Sequence, residues 1–234
     1  MRLCKIKYVE KYFGGKNDFK PIEIEVEGEQ YRISGIIDRI DVCDDYFRLI
    51  DYKTGETSNS KGKEYLFYGT KVQLFVYAEA VKSNLNKKIF GTFYLPIKNS
   101  YSSEGRSEYC FSGFHINSVC VAGKCDKTLL TDKQKSDILN CSLLKTTDEG
   151  EATLRKKSNI ISEEELYFYN KYAIEMVKMT IKNINEGYFD CSPLKGKCNV
   201  CEFNKICKDA GNEKIERGED YEITNEIFLR LNYD

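Results

Sequence analysis

Two aspartates and a lysine in residues 35–55 have the types and spacing that metal-dependent chemistry on a phosphate group requires. The segment reads GIIDRIDVCDDYFRLIDYKTG, with Asp38 in its first half and Asp51 and Lys53 in its second. Carboxylate oxygens are the ligands that Mg²⁺ and Mn²⁺ prefer, and a bound metal lowers the pKa of a coordinated water. A lysine ammonium can position that water or stabilise the negative charge that develops.

These three side chains come together if the segment folds as a β-hairpin with Asp44 and Asp45 as its two-residue loop. That register places Asp38 directly opposite Asp51, and opposed side chains have Cβ atoms about 4.5–5.5 Å apart. Lys53 lies two residues beyond Asp51 and therefore projects from the same face. The alternative is a solvent-exposed surface pair. The isoleucines and leucine beside the aspartates instead favour interior strands, in which charges need partners or a metal.

The hydrophobic pattern predicts the elements that must position this hairpin. Strands are expected at 21–28, 31–43 and 46–53, as an antiparallel meander with short turns. Helical spacing follows at 65–83, and strand character returns at 89–96. This order of elements predicts an α/β fold in which helices flank a mixed sheet.

One long helix is predicted in the second half of the chain. Ser162 and Glu165 form a capping-box sequence before an apolar stripe, and Gly187 is a natural helix terminator. The preceding residues, 98–160, show little periodicity. We expect them to form an insertion with some strand around 109–121.

The composition excludes several classes of protein. The chain has 234 residues, of which 41% are hydrophobic, and its formal net charge is −1. It has no apolar run of the roughly 20 residues that a membrane span needs, and its first residues do not resemble a signal peptide. We therefore expect a soluble, cytoplasmic protein without a membrane partner. The single histidine, His115, excludes multi-histidine metal centres, and we expect it to be structural.

Three closely spaced cysteines, Cys198, Cys201 and Cys207, form a C-x-x-C followed by a third cysteine. In a chain without a secretion signal, this spacing favours thiolate ligation of a metal, and it leaves zinc and an iron–sulfur cluster equally open. We therefore divide the chain into a core at 1–187, which contains the insertion, and a cysteine-cluster segment with a C-terminal tail at 188–234.

The combination of GIIDRID and LIDYKTG resembles the signature of the PD-(D/E)XK nuclease superfamily. The similarity is to its RecB-like branch, and in particular to the C-terminal nuclease domain of AddB proteins, which belong to bacterial helicase–nuclease complexes. It implies a restriction-endonuclease-like core and an active site at Asp38, Asp51 and Lys53. In that family the backbone carbonyl between the last two residues, here that of Tyr52, commonly joins the metal shell.

The same resemblance implies further site residues. The family carries Q-x-x-x-Y on the helix after the signature, and Gln73 and Tyr77 match it in VQLFVYAEA. Their spacing puts them on one helical face, where Gln73 is expected to order the active site or contact DNA. Glu10, in VEKYFGG, matches an upstream glutamate of the family.

Relatives of this kind end in a cysteine pattern that holds a [4Fe–4S] cluster, which implies iron–sulfur ligation by Cys198, Cys201 and Cys207. The family's fourth cysteine lies well upstream of the nuclease motif. Cys4 and Cys191 are the candidates here, and neither has the expected surroundings. We therefore expect this chain to be part of a longer one, with an incomplete cluster.

The resemblance implies a Mg²⁺- or Mn²⁺-dependent DNA nuclease, expected to be an exonuclease acting on single-stranded ends that a helicase partner supplies during double-strand-break repair. Two alternatives stay open. One is a four-cysteine exonuclease of CRISPR adaptation, which shares the core and the cysteines. The other is a non-catalytic module that binds DNA or a partner protein, against which the intact acidic residues and lysine argue.

Overall fold

A six-stranded mixed sheet forms the centre of the protein in a computed structural model. The structure describes residues 4–54, 64–67, 69–97, 110–136, 138–144, 152–155, 157, 159–189 and 198–207. Its strands are Lys5–Phe13 (β1), Ile22–Val26 (β2), Glu29–Ile33 (β3), Gly35–Cys43 (β4), Tyr46–Lys53 (β5), Lys88–Pro96 (β6), Ser112–Ile116 (β7), Lys135–Ser136 (β8), Cys141–Leu144 (β9), Thr153–Leu154 (β10) and Ile160–Ile161 (β11). Its helices are Glu64–Phe67 (α1), Gln73–Leu85 (α2), Val119–Cys125 (α3) and Glu163–Asn185 (α4), with 3₁₀ turns at Lys127–Leu130 and Cys198–Val200.

The strand order in the main sheet is β1-β4-β5-β6-β7-β11. Strands β1, β4 and β5 pair antiparallel, β5 pairs parallel with β6, β6 antiparallel with β7, and β7 parallel with β11. A parallel pair needs a crossover, which α1 and α2 supply between β5 and β6. The predicted α/β class with a mixed sheet is confirmed.

Helices α2 and α4 cover one face of this sheet. Buried residues Leu74 and Phe75 of α2 line a cleft with Thr92 of β6 and Phe114 of β7. Tyr169 of α4 packs edge-on against Phe75 and Phe114, so the second helix lies over the first and over β7. This apolar layer holds β5 and β6 in place from one side.

Described residues between 110 and 161 pack against the opposite face. Phe111 stacks on Phe93 of β6, and His115 is fully buried beside Phe90 and Phe93. Burial lowers the pKa of His115 to about 4, which keeps the ring neutral at pH 7. The region predicted as an insertion therefore adds β7 and β11 to the sheet and helps to build the core.

Three sequence predictions need correction. Segment 31–43 is two strands, because β3 ends at Ile33 and pairs with β2 in a separate two-stranded sheet. Strand β1, which pairs along β4, was not predicted, since most of its residues are exposed and show little alternation. Segment 65–83 is two helices separated at Gly69, whose φ of 71° is the left-handed region that glycine tolerates.

The prediction of a strand around 109–121 is correct for β7 and wrong for the last residues of that range. Ser118 caps a helix there, because its Oγ accepts a hydrogen bond from Val121 N at 3.4 Å. Strand β6 forms as predicted at 89–96, with one added residue at its start.

The long C-terminal helix α4 is confirmed, together with its capping box. Glu165 N donates to Ser162 Oγ at 3.0 Å, and Ser162 N donates to Glu165 Oε2 at 3.0 Å. The helix ends at Asn185, and Gly187 follows it with φ 71°. None of the helices in the described parts of the chain combines the length and apolar character that crossing a membrane requires.

Candidate active site

The hairpin that carries the signature has the predicted register. Paired residues run from Cys43 opposite Tyr46 to Arg39 opposite Ile50, so the loop is Asp44 and Asp45. Asp44 has φ 50°, the left-handed conformation that tight hairpin turns need and that aspartate tolerates better than most residues. This register brings Asp38 to the end of β5 that carries Asp51.

Asp38 takes up a position next to β5 beyond the last of these pairs. Its Oδ2 accepts a hydrogen bond from the backbone N–H of Tyr52 at 2.9 Å. The Tyr52 side chain is exposed, and its hydroxyl accepts from Arg39 Nη1 at 3.3 Å. This hydrogen bond fixes the Asp38 carboxylate against β5, close enough to Asp51 to raise its pKa.

Asp51 is a buried carboxylate that lacks full compensation. It is 6% exposed, and Lys53 Nζ lies 2.6 Å from its Oδ2. This contact is a close ion pair, and Lys53 is the cation nearest to Asp51 among the contacts of the described residues. Burial raises the pKa of the Asp51 carboxyl; Lys53 lowers it, Asp38 raises it and Lys71 lowers it. A carboxylate in this state is suited to a further cation.

Two further residues near Asp51, Tyr94 and Lys71, were not predicted from the sequence. Tyr94 of β6 pairs with Asp51 in the sheet, and its ring lies 5.3 Å from Lys53 Nζ and 5.7 Å from Lys71 Nζ. Burial raises the pKa of Tyr94 to about 12, and Asp51 adds to this shift, so the phenol stays neutral. Lys71 precedes α2, and nothing in its sequence neighbourhood distinguishes it from other surface lysines.

Gln73 and Tyr77 contact each other on the first turns of α2, as their spacing predicts. Gln73 Nε2 donates to the Tyr77 hydroxyl at 3.1 Å. The Tyr77 ring packs edge-on against Phe13 with centroids 5.4 Å apart. Gly35 permits this approach, because a Cβ there would lie 2.9 Å from the Phe13 ring and 3.2 Å from the Tyr77 ring. The role of both residues toward a metal or DNA stays a prediction.

Glu10 lies on the edge strand β1, across from Asp38. Its neighbours Val9 and Lys11 pair with Arg39 and Ile37, which flank Asp38 on β4. The Glu10 backbone has φ 47°, an unusual value within a strand, and its side chain is exposed. The predicted upstream acid is therefore in the same part of the sheet, and its participation stays a prediction.

The C-terminal cysteines occupy a short turn-rich segment. Cys201 N donates to Cys198 O at 3.3 Å, and Cys207 N donates to Phe203 O at 2.9 Å. Cys201 is exposed, and Cys198 and Cys207 are half-buried. Cys191 lies outside the described residues. The iron–sulfur prediction for these three cysteines is untested.

Cys4, a candidate fourth ligand of that cluster, contacts a different cysteine. Its Sγ lies 2.9 Å from Cys125 Sγ. In the part of the chain that the structure describes, the cysteines whose sulfurs come together are Cys4, Cys43 and Cys125.

A second buried charged group lies on the other face of the same hairpin. Asp41 is 1% exposed and accepts hydrogen bonds from Arg39 Nε at 2.7 Å and Arg39 Nη2 at 2.9 Å. Arg48 Nε donates to it at 2.9 Å, and the Arg48 guanidinium lies 5.0 Å from the Phe111 ring centre. This group was not predicted, because its residues look like ordinary strand charges in the sequence.

Comparisons with known proteins agree with this geometry. A family model described as the PD-(D/E)XK nuclease superfamily matches residues 2–208.

Three similar curated proteins are each named as a subunit of an ATP-dependent helicase/deoxyribonuclease. The protein of Clostridium kluyveri is 26% identical over 226 residues, covering 85% of this chain and 19% of that protein. That of Alkaliphilus oremlandii is 30% identical over 222 residues, covering 84% and 18%. That of Bacillus thuringiensis is 28% identical over 223 residues, covering 83% and 18%. This chain thus spans about a fifth of the length of these relatives.

Proposed function

Because the chain belongs to the PD-(D/E)XK nuclease superfamily, we propose that it is a metal-dependent DNA nuclease with Asp38, Asp51 and Lys53 as its active site. The observation that carries the proposal is the state of Asp51. Asp51 is a buried carboxylate beside a second carboxylate, and its pKa stays raised although Lys53 lies 2.6 Å away, so a bound cation would stabilise its charged form.

The donor set fits Mg²⁺ or Mn²⁺. The carboxylates of Asp38 and Asp51 would hold the ion, with the backbone carbonyl of Tyr52 as a further ligand. When bound, the ion would supply an acidified water and neutralise charge on a phosphate. Asp38 is held in place for this role by its hydrogen bond from Tyr52 N.

Lys53 and Lys71 supply positive charge beside this acidic pair. The Lys53 side chain is 39% exposed, so its ammonium can exchange Asp51 for a phosphate oxygen or a water without moving the strand. Lys71 is half-buried near Tyr94, on the side of the site that α2 covers. Tyr94 stays neutral and closes the site from the neighbouring strand. We assign both lysines to holding the DNA backbone near Asp51.

Gln73, Tyr77 and Glu10 complete the proposed site. Gln73 is exposed at the start of α2, where its amide can reach DNA, and Tyr77 orients it through their hydrogen bond. Glu10 would add a third acid through β1. We also propose that Cys198, Cys201 and Cys207 ligate a [4Fe–4S] cluster, and that the chain divides into a nuclease core at 1–187 and a cysteine segment at 188–234.

We assign DNA as the substrate and a helicase as the partner on the names of the relatives, which are helicase/deoxyribonuclease subunits. The proposed role is exonucleolytic cleavage of single-stranded ends during double-strand-break repair in the cytoplasm. These names favour this role over that of a CRISPR-adaptation exonuclease.

A cleavage assay with a matched control tests the catalytic assignment. We expect Mg²⁺-dependent degradation of end-labelled single-stranded DNA, abolished by a chelator. Asp51→Asn should lower the rate at least about 100-fold, since a group that acts in the transition state is lost. Asp45→Asn, at the exposed hairpin loop, should leave the rate unchanged. Equal rates for the wild type and Asp51→Asn would identify a contaminant and favour the non-catalytic binding module.

Linear and circular single strands distinguish the two modes of cleavage in the same assay. An exonuclease degrades the linear form and leaves the circle intact, because the circle offers no end. Cleavage of both forms at similar rates would contradict the exonuclease proposal while leaving the active-site assignment in place.

A further inference from the structure

Three cysteine sulfurs from three separate elements meet at the end of β4 far from Asp38. Cys4 directly precedes β1, Cys43 ends β4 and Cys125 ends α3. Their sulfur atoms all lie within 4.8 Å of one another, and those of Cys4 and Cys125 are 2.9 Å apart. Thiolate sulfur is a preferred ligand of Zn²⁺, and three sulfurs at such distances can share one ion.

The backbone holds this arrangement independently of any bond between the sulfurs. Lys5 pairs with Val42, so the antiparallel register places Cys4 beside Cys43. Cys4 N donates to Lys124 O at 3.2 Å, which ties the start of β1 to the last turn of α3. The three positions are therefore set by the sheet and the helix, as a pre-organised metal site requires.

The three cysteines differ in burial. Cys43 is 4% exposed, while Cys4 and Cys125 are half-buried and can be reached from solvent. An ion can therefore enter from the side of Cys4 and Cys125.

We propose that Cys4, Cys43 and Cys125 bind Zn²⁺ at a site separate from both the nuclease centre and the C-terminal cysteines. Three thiolates fill three tetrahedral positions, and the partly open side leaves the fourth to a water. Cys43 lies five residues from Asp38 along β4, a separation of about 16 Å at the rise of an extended strand. The ion fastens α3 and the N-terminal strand to the edge of the sheet.

Two plainer interpretations account for less of this geometry. Buried cysteines often serve as small apolar residues, but these sulfurs point at one another and not into separate parts of the core. A disulfide would use two of the three sulfurs and leave the third beside it without a role. A shared metal uses all three.

Site-resolved alkylation of the full chain tests the proposal without any substitution. The reduced, chelator-treated protein is exposed to iodoacetamide with and without one equivalent of Zn²⁺, and each cysteine is followed by peptide mass spectrometry. Zn²⁺ should slow the alkylation of Cys4 and Cys125 at least about tenfold, since a coordinated thiolate is a poor nucleophile. Cys120, exposed on the same helix, serves as the control and should react at an unchanged rate. Unchanged rates at Cys4 and Cys125 would overturn the proposal.

Cobalt substitution then reports the ligand set. In a chain with Cys198→Ser, Cys201→Ser and Cys207→Ser, one equivalent of Co²⁺ should give the ultraviolet charge-transfer absorption of thiolate ligation. Adding Cys43→Ser should remove at least a third of that absorption and weaken binding at least about tenfold. Adding Cys141→Ser, which changes a buried cysteine of β9, should do neither. Absorption that survives intact in the Cys43→Ser chain would overturn the assignment. Should the triple background not fold, the alkylation result on the native sequence decides the question.

Discussion

Two buried aspartates on opposite faces of one hairpin show how differently the same residue type can be used. Asp41 and Asp51 are 1% and 6% exposed, and each has arginine or lysine next to it. Arg39 and Arg48 together direct hydrogen bonds at both oxygens of Asp41. Asp51 has Lys53 at 2.6 Å and a second carboxylate nearby, and burial keeps its pKa raised despite that lysine.

The difference separates a structural charge from a functional one. A buried carboxylate whose oxygens are satisfied holds its strands together and has no capacity left for a ligand. A buried carboxylate that is under-compensated destabilises the free protein and is stabilised when a cation arrives. Burial alone does not distinguish these cases. The hydrogen-bond partners do.

The largest effect of a substitution is expected at Asp41. Asp41→Asn should lower the free energy of unfolding by about 3–5 kcal/mol, because it leaves the buried Arg48 and the half-buried Arg39 without their carboxylate. Urea unfolding followed by circular dichroism measures the change. Asp45→Asn, in the exposed loop, should stay within about 0.5 kcal/mol of the wild type. The folded fraction of the Asp41 variant should keep its nuclease rate, and a loss comparable to that of Asp51→Asn would erase the distinction between the two faces.

The face of the hairpin that carries Asp38, Asp51 and Lys53 is here called the Asp51 face. Much of it could be predicted from the sequence because its determinants are local. The two-residue loop fixes the register of β4 and β5, so the meeting of Asp38 with the Asp51 end of β5 follows from counting. The capping box of α4 is likewise contained in four consecutive residues. Such features need no knowledge of the rest of the fold.

The features that could not be predicted from the sequence depend on contacts between distant segments. Asp41 looks like any strand aspartate until Phe111, from the region predicted as an insertion, covers the Arg48 that binds it. Lys71 joins the site only through the tertiary placement of the segment before α2. The cysteine group requires residues 4, 43 and 125 to meet, and no local pattern encodes that. Strand β1 was not predicted because an exposed edge strand lacks hydrophobic alternation.

The next effect concerns the stability of the Asp51 face. In a chelator-containing buffer at pH 7, Asp51→Asn should raise the free energy of unfolding by about 0.5–2 kcal/mol, the usual gain when an under-compensated functional residue is replaced. Thermal or urea unfolding of the metal-free chain measures it. A marked loss of stability would show that Asp51, like Asp41, is a structural charge.

The pH dependence of that gain has a definite sign. The folded-state pKa of Asp51 is raised by burial, so between the ordinary value of about 3.9 and the raised value the folded protein binds more protons than the unfolded chain. The contribution of Asp51 to stability therefore falls as pH rises through this window and is constant above it. The advantage of Asp51→Asn should be full above the raised pKa and vanish near pH 4. An advantage that grows on acidification would contradict the raised pKa.

A smaller effect is expected from Lys71, the lysine of this face that sequence reasoning missed. Lys71→Gln should lower the nuclease rate about threefold to tenfold, because it removes one unit charge near Asp51 and the proposed phosphate position. The loss should shrink at high ionic strength, where such interactions are screened. Lys16→Gln, an exposed lysine in the turn after β1, controls for net charge. Equal losses in the two variants would assign the effect to overall charge and remove Lys71 from the site.

The smallest effect tests whether Gln73 acts directly or through its neighbour. The Gln73–Tyr77 hydrogen bond is exposed, so a double-mutant cycle with Gln73→Ala and Tyr77→Phe should give a coupling of about 0.5 kcal/mol in stability. Phenylalanine keeps the ring against Phe13 and Gly35, and only the hydroxyl is lost. If Tyr77 orients Gln73 for DNA, Gln73→Ala should lower the nuclease rate more than Tyr77→Phe does, and the second change should add nothing in the Gln73→Ala background. Independent, multiplicative losses in rate would instead mean that the two residues serve the site separately. The Gln73–Tyr77 hydrogen bond would then be a structural contact, like the hydrogen bonds of Asp41 with Arg39 and Arg48.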